Sequence, residues 1–251
     1  MKKFLKLFIL LLILGASPQR VIKDFHLLGF DKNGNRNYEL WAQRAEIFEK
    51  KVKMHKITAN LYGEKTVLIK AEKAFLDENA QNLKLEKNVN ITSEDKLLLT
   101  QSLDWDIKEN KARTSSEVEI KEPEFTIKAT GLEADLNNKK TILKNKVSLS
   151  FKKRVFTSVS CQGPMEIDYK NNIAILYNKV KVDDTEGQIF SDKMEVYFDP
   201  ESKKIKKIRA LGNVKIVRTD SVTYAKEAEF DVNSKKLTLK GNPRLLIISE
   251  R

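Results

Sequence analysis

The chain has 251 residues, of which 41% are hydrophobic and 33% are charged, and its 47 Lys and Arg residues outnumber its 35 Asp and Glu residues to give a net charge of +12. The single cysteine, Cys161, excludes an intramolecular disulfide, and the Lys and Glu residues are scattered singly, which argues against a nucleic-acid-binding tail. The length suits one large domain or two small ones. The positive charge favours a negatively charged partner, such as an anionic lipid or a phosphorylated glycolipid, with a well-solvated lysine-rich surface as the alternative.

The first 18 residues combine a basic start with an apolar run. Lys2, Lys3 and Lys6 precede a continuous apolar stretch from Leu7 to Ala16. This arrangement is typical of an export signal, and it is short for a transmembrane helix of about 20 residues. We predict that residues 1–18 form either a cleaved signal peptide or a retained hydrophobic helix that anchors the chain in a membrane with its lysines on the cytoplasmic side.

After Gln19, apolar and polar residues alternate with a period of two, which predicts β-strands. The string DKNGNRN (31–37) interrupts this alternation. Because Asn and Gly tolerate the positive φ of a tight turn, the string predicts a hairpin. Asp31, Asn33 and Asn35 also resemble the start of a calcium loop, but Ala42 stands where the loop needs a glutamate, so we favour the hairpin.

The stretch KAEKAFLDENAQNLKLEKNVNI (70–91) begins like a helix and ends like a strand, and its pattern recurs along the chain. Each copy has two alternating runs joined by a turn rich in Asp and Asn, residue types that close turns through local hydrogen bonds. The valines of the second runs, spaced 29, 29, 33 and 34 residues apart, are Val89, Val118, Val147, Val180 and Val214. We therefore predict an all-β chain of repeated antiparallel hairpins with about 14 to 16 strands.

Two details of the repeat lead to further predictions. Ala71 and Ala74 are an odd number of residues apart, so they can share one face only if a β-bulge lies between them. The string FKKRVFTSVSCQG (151–163) interrupts the repeat. We therefore predict a boundary near residue 155, with one domain at 20–155 and another at 156–251.

Two parts of the chain resemble known protein families. FHLLGFDKNGNRNYELWAQRAEI and the hairpins up to about residue 150 resemble the LptC family, and AILYNKVKV, IRALGNVKI and AKEAEFDVNSKKLTLKGNPRLLI resemble the LptA or OstA-like domain. The resemblance implies an elongated, twisted β-jellyroll with an apolar interior groove, in the machinery that moves lipopolysaccharide from the inner to the outer membrane. It departs from the usual pattern because LptC and LptA are normally separate chains.

The resemblance also implies partners and a location. The partners are lipopolysaccharide or another envelope lipid, an inner-membrane ABC transporter complex, and LptA-like or outer-membrane LptD-like proteins that stack at strand edges. The location is the periplasm, with the N-terminal segment as a tether to the inner membrane. The first strand (about 22–30) and the last (about 244–249) are the expected edges, because exposed edges recruit further strands.

Alternation places one apolar face of each strand inward, where it forms either a sealed core or a groove that acyl chains complete. Burying an acyl chain yields about 0.8 kcal/mol per CH₂, so a groove could bind lipid without specific polar contacts. The residues predicted to line the groove are Leu85, Val89, Trp105, Val118, Ile120, Phe125, Ile127, Val147, Leu149, Val180, Val214 and Ile216.

The sequence offers little for catalysis. It contains no nucleophile elbow and no phosphate-binding loop, and the spacing of His26, His55 and Cys161 matches no zinc pattern. We predict no enzymatic activity, no cofactor, no metal and no nucleic-acid partner. The alternatives are a structural β-repeat envelope protein and a carbohydrate-acting enzyme, because a glycosidase needs only two carboxylates.

Overall fold

The computed structural model describes residues 20–248 except 32, 64, 78, 80, 95, 124, 152–155 and 203, and it describes only the backbone of residues 156 and 157. The predictions for residues 1–18, including the hydrophobic helix, lie outside the described residues. The chain divides into two compact units, Met1–Glu122 (unit 1) and Pro123–Arg251 (unit 2). The predicted boundary near residue 155 falls within unit 2, and the two sequence-defined domains stay a prediction. No helix in the described part of the chain is long and apolar enough to cross a membrane.

Unit 1 is a series of antiparallel strands, each paired with the next along the chain. Its strands are β1 (Arg20–Phe30), β2 (Arg36–Phe48), β3 (Lys51–Leu61), β4 (Val67–Asp77), β5 (Asn82–Ser93), β6 (Lys96–Asp106) and β7 (Lys111–Lys121). The loop between β1 and β2 is the predicted hairpin: the Asp31 carboxylate accepts the N–H groups of Asn33 and Asn35, and Gly34 has a φ of +82°.

Unit 2 continues the same antiparallel pattern, with two strands broken into halves. Its strands are β8 (Phe125–Asp135), β9 (Lys140–Phe151), β10 (Phe156–Cys161), β11 (Met165–Asp168), β12 (Ile173–Asp184), β13 (Gln188–Phe198), β14 (Ile205–Val217), β15 (Ser221–Asp231), β16 (Lys236–Lys240) and β17 (Arg244–Ile247). β10 and β11 both lie between β9 and β12, and β16 and β17 both pair with β15. If each broken pair is taken as one strand, the described strands fall within the predicted range, and the all-β prediction is confirmed.

Aspartates close the hairpin turns as the repeat predicts. In each case an aspartate at the end of a strand or directly after it accepts the backbone N–H three residues later, which supplies the local hydrogen bond that a polar turn needs. The pairs are Asp106 with Glu109 at 2.8 Å, Asp135 with Asn138 at 2.9 Å, Asp168 with Asn171 at 3.0 Å, Asp199 with Ser202 at 2.8 Å and Asp231 with Ser234 at 2.8 Å. The role of the aspartates that recur from hairpin to hairpin is therefore structural.

A β-bulge lies in the middle of the β4–β5 pair. Lys70 pairs with Asn90 but Lys73 pairs with Glu86, so β5 carries one residue more than β4 between these pairings. Lys87 and Asn88 of β5 take up the extra length with φ values of 63° and 52°. Ala71 and Ala74 both face the core, at 7% and 0% exposure, and the register shifts beside them, but the extra residue of the bulge is in β5 and not between the two alanines as predicted.

The same bulge recurs in unit 2. Asn178–Lys179 of β12 and Gly212–Asn213 of β14 are consecutive residues with positive φ, and each pair precedes a valine that is 1% exposed, Val180 or Val214. A bulge bends its strand and increases its twist. The phrase Gly-Asn-Val in the sequence therefore marks the point where a strand bends across the apolar core.

The core of unit 1 combines residues from both sides of these bends in one cluster. Small side chains are frequent in it, and Ala45, Ala74 and Leu85 have no exposed surface. The remaining fully packed members are Ala42, Val52, Met54, Ile57, Ala59, Ile69, Ala71, Val89 and Leu103. Ala45 and Ala74 both pair with Met54, which is 2% exposed, so small side chains flank a large one in the middle of this core.

Candidate functional site

Unit 2 contains an apolar cavity of about 790 Å³. This volume lies within the range of about 300–1,000 Å³ that is typical of ligand-binding pockets. The apolar side chains that line it are Phe151, Val182, Ile189, Met194, Ile205, Ile208, Ala210, Ile216, Val217, Ala228, Phe230, Val232 and Leu237. A cavity with such walls can bind hydrocarbon, because apolar walls carry no polar group that the ligand would have to satisfy with a hydrogen bond.

Alternation explains how β14 contributes to this cavity. Ile208, Ala210 and Ile216 are separated by even numbers of residues, so they share one face of β14, and all three line the cavity. Small residues lie beside a large one in the middle of the wall, since Met194 pairs with Ala210 and Ala210 pairs with Ala228.

Charged residues lie among the turns that contribute to the lining. Asp184, Glu186, Arg218 and Lys235 all line the cavity near the ends of strands. The Asp184 carboxylate is held in place by the backbone N–H groups of Glu186 and Gly187, at 2.7 and 2.8 Å. The site therefore joins an apolar interior to polar turns of mixed charge, which suits an amphipathic ligand.

The edge of unit 2 lies beside the cavity wall. Leu237 of β16 lines the cavity and is 41% exposed, because β16 pairs with β15 and with no other described strand of unit 2. The apolar residues of and just after β17 are also exposed: Leu245 at 59%, Leu246 at 56%, Ile247 at 75% and Ile248 at 55%. An uncovered apolar edge of this kind is available for pairing with another strand.

The face of unit 2 opposite the cavity is held by a charged network. Arg209 donates to Glu195 at 3.2 Å and to Glu227 at 3.0 Å, and Lys193 donates to Glu195 at 2.8 Å. Burial alone would raise the pKa of Glu195, which is 9% exposed, but hydrogen bonds from Lys193 and Tyr197 and the charge of Arg209 lower it. The network joins β13, β14 and β15, and it stiffens the cavity wall from outside.

The two histidines and the cysteine each have separate partners, and the Cys161 thiol donates to the Gly163 carbonyl at 3.2 Å. His26 stacks on Trp41 with ring centroids 5.1 Å apart and lies 3.0 Å from the Glu39 carboxylate, whereas His55 lies 3.8 Å from Glu46. Among the described residues, no three metal-ligating side chains come together.

Glu39 in unit 1 resembles Glu195 in being a buried carboxylate that accepts side-chain hydrogen bonds. It is 7% exposed and accepts hydrogen bonds from Tyr62 and Arg36, both at 2.9 Å. Burial alone would raise its pKa, but the hydrogen bonds from Tyr62 and His26 and the charge of Arg36 lower the pKa below its ordinary value. The carboxylate is therefore ionised near neutral pH and fastens β1 to β2.

The structure distributes the twelve predicted lining residues over both units. Nine are buried, whereas Trp105, Ile120 and Phe125 are partly exposed. Ile216 lines the apolar cavity, and Phe125 packs edge-on against Phe151 of the lining with ring centroids 6.2 Å apart. Leu85 and Val89 belong to the packed cluster of unit 1, and Trp105 lies against it. Contact of any of these residues with lipid stays a prediction.

Sequence reasoning missed most of the lining, including Met194, Ile208 and Phe230. Met194 and Phe230 lie in β13 and β15, strands that carry none of the repeated valines, so a search anchored on those valines passes over them. The sequence did contain one signal for this lining. In IRALGNVKI the regular alternation up to the bulge places Ile208 and Ala210 on one face of the strand.

Comparison with known families gives two matches. Residues 14–151 match the family described as lipopolysaccharide-assembly, LptC-related, and residues 164–247 match the family described as LptA/(LptD N-terminal domain) LPS transport protein. No curated protein matches the chain. The two matches confirm both resemblances predicted from the sequence, and the first covers just over half of the chain.

Proposed function

Because the chain belongs to the LptC-related lipopolysaccharide-assembly family and is a component of lipopolysaccharide transport, we propose that it binds the acyl chains of lipopolysaccharide, or of a related envelope lipid, in the apolar cavity of unit 2. It then passes the lipid from an inner-membrane ABC transporter complex toward the outer membrane. The protein acts in the periplasm, tethered to the inner membrane by residues 1–18.

The observation that carries this proposal is the open apolar space between the layers of unit 2. Its walls are hydrocarbon from Ile189, Met194, Ile208 and Phe230, and its volume is about 790 Å³. Each CH₂ that leaves water for such a space contributes about 0.8 kcal/mol, so several acyl segments bind without a specific polar contact. A site of this kind also releases its ligand along the groove, because no single strong interaction has to break.

Transfer needs neighbours on both sides, and the strand edges supply them. β1 pairs with β2 and with no other described strand of unit 1, and its Val21 and Phe30 are 47% and 57% exposed. β17 offers exposed apolar side chains at the far end of the chain. We propose that an LptA-like or LptD-like partner adds a strand at β17 and that the transporter complex adds one at β1.

The chemistry of the turn carboxylates supports a role without catalysis. A glycosidase keeps one carboxylic acid protonated by raising its pKa. The backbone N–H of Asn171 and that of Ser234 instead lower the pKa of Asp168 and of Asp231, respectively. Such carboxylates are ionised hydrogen-bond acceptors, and they suit turn formation rather than proton donation.

Photo-crosslinking in cells tests the proposal. A benzophenone amino acid at position 189 or 208 replaces an isoleucine of the cavity, and the same probe at position 236 replaces the exposed Lys236 as a matched control. We expect a lipopolysaccharide adduct at positions 189 and 208 and none at position 236. Well-folded cavity variants that give no lipid adduct, or an equal adduct at position 236, would contradict the proposal and favour a structural protein with a closed interior.

A further inference from the structure

The hairpin of β1 and β2 carries apolar side chains on the face that points away from the core of unit 1. Phe25 packs against that core, so alternation places His26, Leu28 and Phe30 on the opposite face of β1. Leu28 is 37% exposed and Phe30 is 57% exposed. Trp41 of β2 pairs with His26 and is 36% exposed. Leu28, Phe30 and Trp41 therefore form an exposed apolar surface, which we call the outer patch.

The tryptophan of the outer patch is held in place although it is partly exposed. The His26 ring stacks on the Trp41 indole, with ring centroids 5.1 Å apart and an angle of 9° between the ring planes. His26 in turn lies 3.0 Å from the Glu39 carboxylate, which also accepts hydrogen bonds from Tyr62 and Arg36. A side chain that is already ordered loses little conformational entropy when it binds. The outer patch is therefore pre-organised for docking.

The region around the outer patch is basic. Residues 20–61, which form β1 to β3, contain nine Lys and Arg residues against five Asp and Glu residues. Two of these carboxylates, Glu39 and Glu46, are buried and lie 2.9 and 3.0 Å from the guanidinium groups of Arg36 and Arg44, respectively. Both arginine side chains are about half exposed, at 48% and 50%. The charge that this region presents to a partner is thus mainly positive.

Aromatic, aliphatic and cationic side chains on one surface suit the interface of an anionic membrane. Tryptophan is enriched at the level of the lipid headgroups, where its ring meets both apolar and polar surroundings. Arginine can keep its stem among apolar groups while its guanidinium reaches a lipid phosphate. Anionic lipids attract such cations as long as these lie within a Debye length of the surface. The composition of the outer patch and its surroundings therefore favours a lipid surface as the partner.

The chain before β1 brings the outer patch close to such a surface. The apolar run that starts at Leu7 ends at Ala16, and β1 begins at Arg20. Four residues of extended chain span at most about 14 Å. With the tether proposed above, on which this inference rests, the start of β1 is held within about that distance of the membrane. The outer patch lies on this strand and on its neighbour in the sheet.

We propose that the outer patch docks on the anionic surface of the membrane that holds the tether, with Phe30 and Trp41 at the level of the headgroups and Arg36 on a lipid phosphate. The contact uses a face of the sheet, whereas the N–H and C=O groups at the free edge of β1 lie in the plane of the sheet. Docking therefore leaves β1 able to accept the added strand proposed above. Two attachments, the tether and the outer patch, prevent unit 1 from swivelling on its short linker.

Quenching by brominated lipid tests the docking on the full-length chain, reconstituted into vesicles of phosphatidylglycerol and phosphatidylcholine. Trp105→Phe leaves Trp41 as the only tryptophan, and Trp41→Phe leaves Trp105, which packs against the core of unit 1, as the matched control. Lipid brominated near the headgroup end of its acyl chains should quench Trp41 fluorescence by about twofold or more and Trp105 fluorescence little. Vesicles of phosphatidylcholine alone should give weaker quenching, since they carry no net charge.

A pair of substitutions separates the outer patch from exposed apolar residues in general. Leu28→Glu/Phe30→Glu should abolish the quenching of Trp41, because carboxylates at the patch are repelled by anionic lipid. The matched control, Leu246→Glu/Ile248→Glu, makes the same change in unit 2 at positions that are 56% and 55% exposed, and it should leave the quenching unchanged. Urea unfolding of both variants confirms that they are folded.

Flotation with the vesicles reports on the tether separately. A chain that floats while its Trp41 is quenched no more than Trp105 would overturn the docking and leave the tether and the acyl-chain proposal intact. Equal effects of the two glutamate pairs would overturn the docking as well. A chain that does not float would overturn the tether and, with it, the docking. Shielding of Trp41 from acrylamide that rises with protein concentration, without quenching by lipid, would instead assign the outer patch to a second copy of the chain.

Discussion

The interiors of the two units are made from the same hairpin repeat but differ in how they are filled. In unit 1, Met54 pairs with Ala45 and Ala74, and Ala45, Ala74 and Leu85 have no exposed surface. In unit 2, Met194 pairs with Ala210, which pairs with Ala228, and a cavity of about 790 Å³ stays open. The comparison teaches that the repeat specifies the strands and a similar pattern of small and large core residues, whereas that local pattern alone does not decide between a closed core and an open groove.

The largest expected effect is the difference between two truncations. Leu85→Ala should destabilise unit 1 by about 3–5 kcal/mol, because it leaves a new hole in a fully packed cluster. Ile208→Ala should destabilise unit 2 by at most about 2 kcal/mol, because this side chain already borders empty space. Both tryptophans, Trp41 and Trp105, lie in unit 1, so fluorescence during urea unfolding follows unit 1, and hydrogen exchange with mass spectrometry follows unit 2.

Equal losses for Leu85→Ala and Ile208→Ala would show that the two interiors are equally packed, and the comparison would fail. Leu237→Ala serves as a control because that side chain is 41% exposed and should change stability least.

Enlarging a buried alanine should also cost more stability in unit 1 than in unit 2. Ala74→Leu should destabilise unit 1 by about 1–3 kcal/mol, because an alanine with no exposed surface has no room for a larger side chain. Ala210→Leu should be tolerated in unit 2 but should reduce binding of a fluorescent acyl lipid, because it fills the cavity. A normal affinity for lipid in a folded Ala210→Leu chain would place the lipid elsewhere.

The bulges offer a third test of how the two units differ. Gly212→Ala should destabilise unit 2 by about 1–3 kcal/mol, because Gly212 has a φ of +73° and an added Cβ would lie 2.5 Å from the Asp192 carboxylate. Lys87→Gly at the matching bulge of β5 should change stability by less than about 1 kcal/mol, since the relief of positive φ is offset by a more flexible unfolded chain. A Gly212→Ala chain as stable as the parent would mean that the bulge rearranges freely.

The smallest expected effect is the response to acid. Among the described residues, the carboxyl groups with a lowered pKa are Asp31, Glu39 and Glu86 in unit 1 and Asp168, Glu195, Asp199, Glu227 and Asp231 in unit 2. A pKa that is lower in the folded state contributes stability above the unfolded pKa of about 4, and that stability is lost as the pH falls through the folded value. Urea unfolding at pH 7, 5, 4 and 3 should therefore show a larger loss below pH 4 in unit 2 than in unit 1.

Single substitutions identify the groups responsible for the acid response. Asp231→Asn should lower stability at pH 7 and reduce its dependence on pH below 4, because the amide cannot ionise. An unchanged pH profile would remove the turn carboxylates from this explanation.

The sequence was sufficient to predict the strands and to identify the repeated residues that face the core. Val89, Val147, Val180 and Val214 were predicted to face inward, and each is 1% exposed. The odd spacing of Ala71 and Ala74 also pointed to an irregularity at this place, but it did not show that the extra residue lies in β5. These features are local, and a period of two or a pair of turn residues is enough to fix them.

The location of the open space was not predictable in the same way. Whether Met194 and Ile208 meet their neighbours across the interior depends on the distance between layers, which is set by side chains far apart in the sequence.

The aspartate-closed turns have a consequence for how such a chain changes in length. Because each hairpin begins and ends at an exposed turn held by its own carboxylate, a whole repeat of roughly 30 residues can be duplicated or deleted without shifting the register of the others. Neighbouring strands lie about 4.7–4.9 Å apart, so each gain or loss moves the end of the ladder by about 9–10 Å. The length of the ladder within a unit therefore changes in steps of one hairpin.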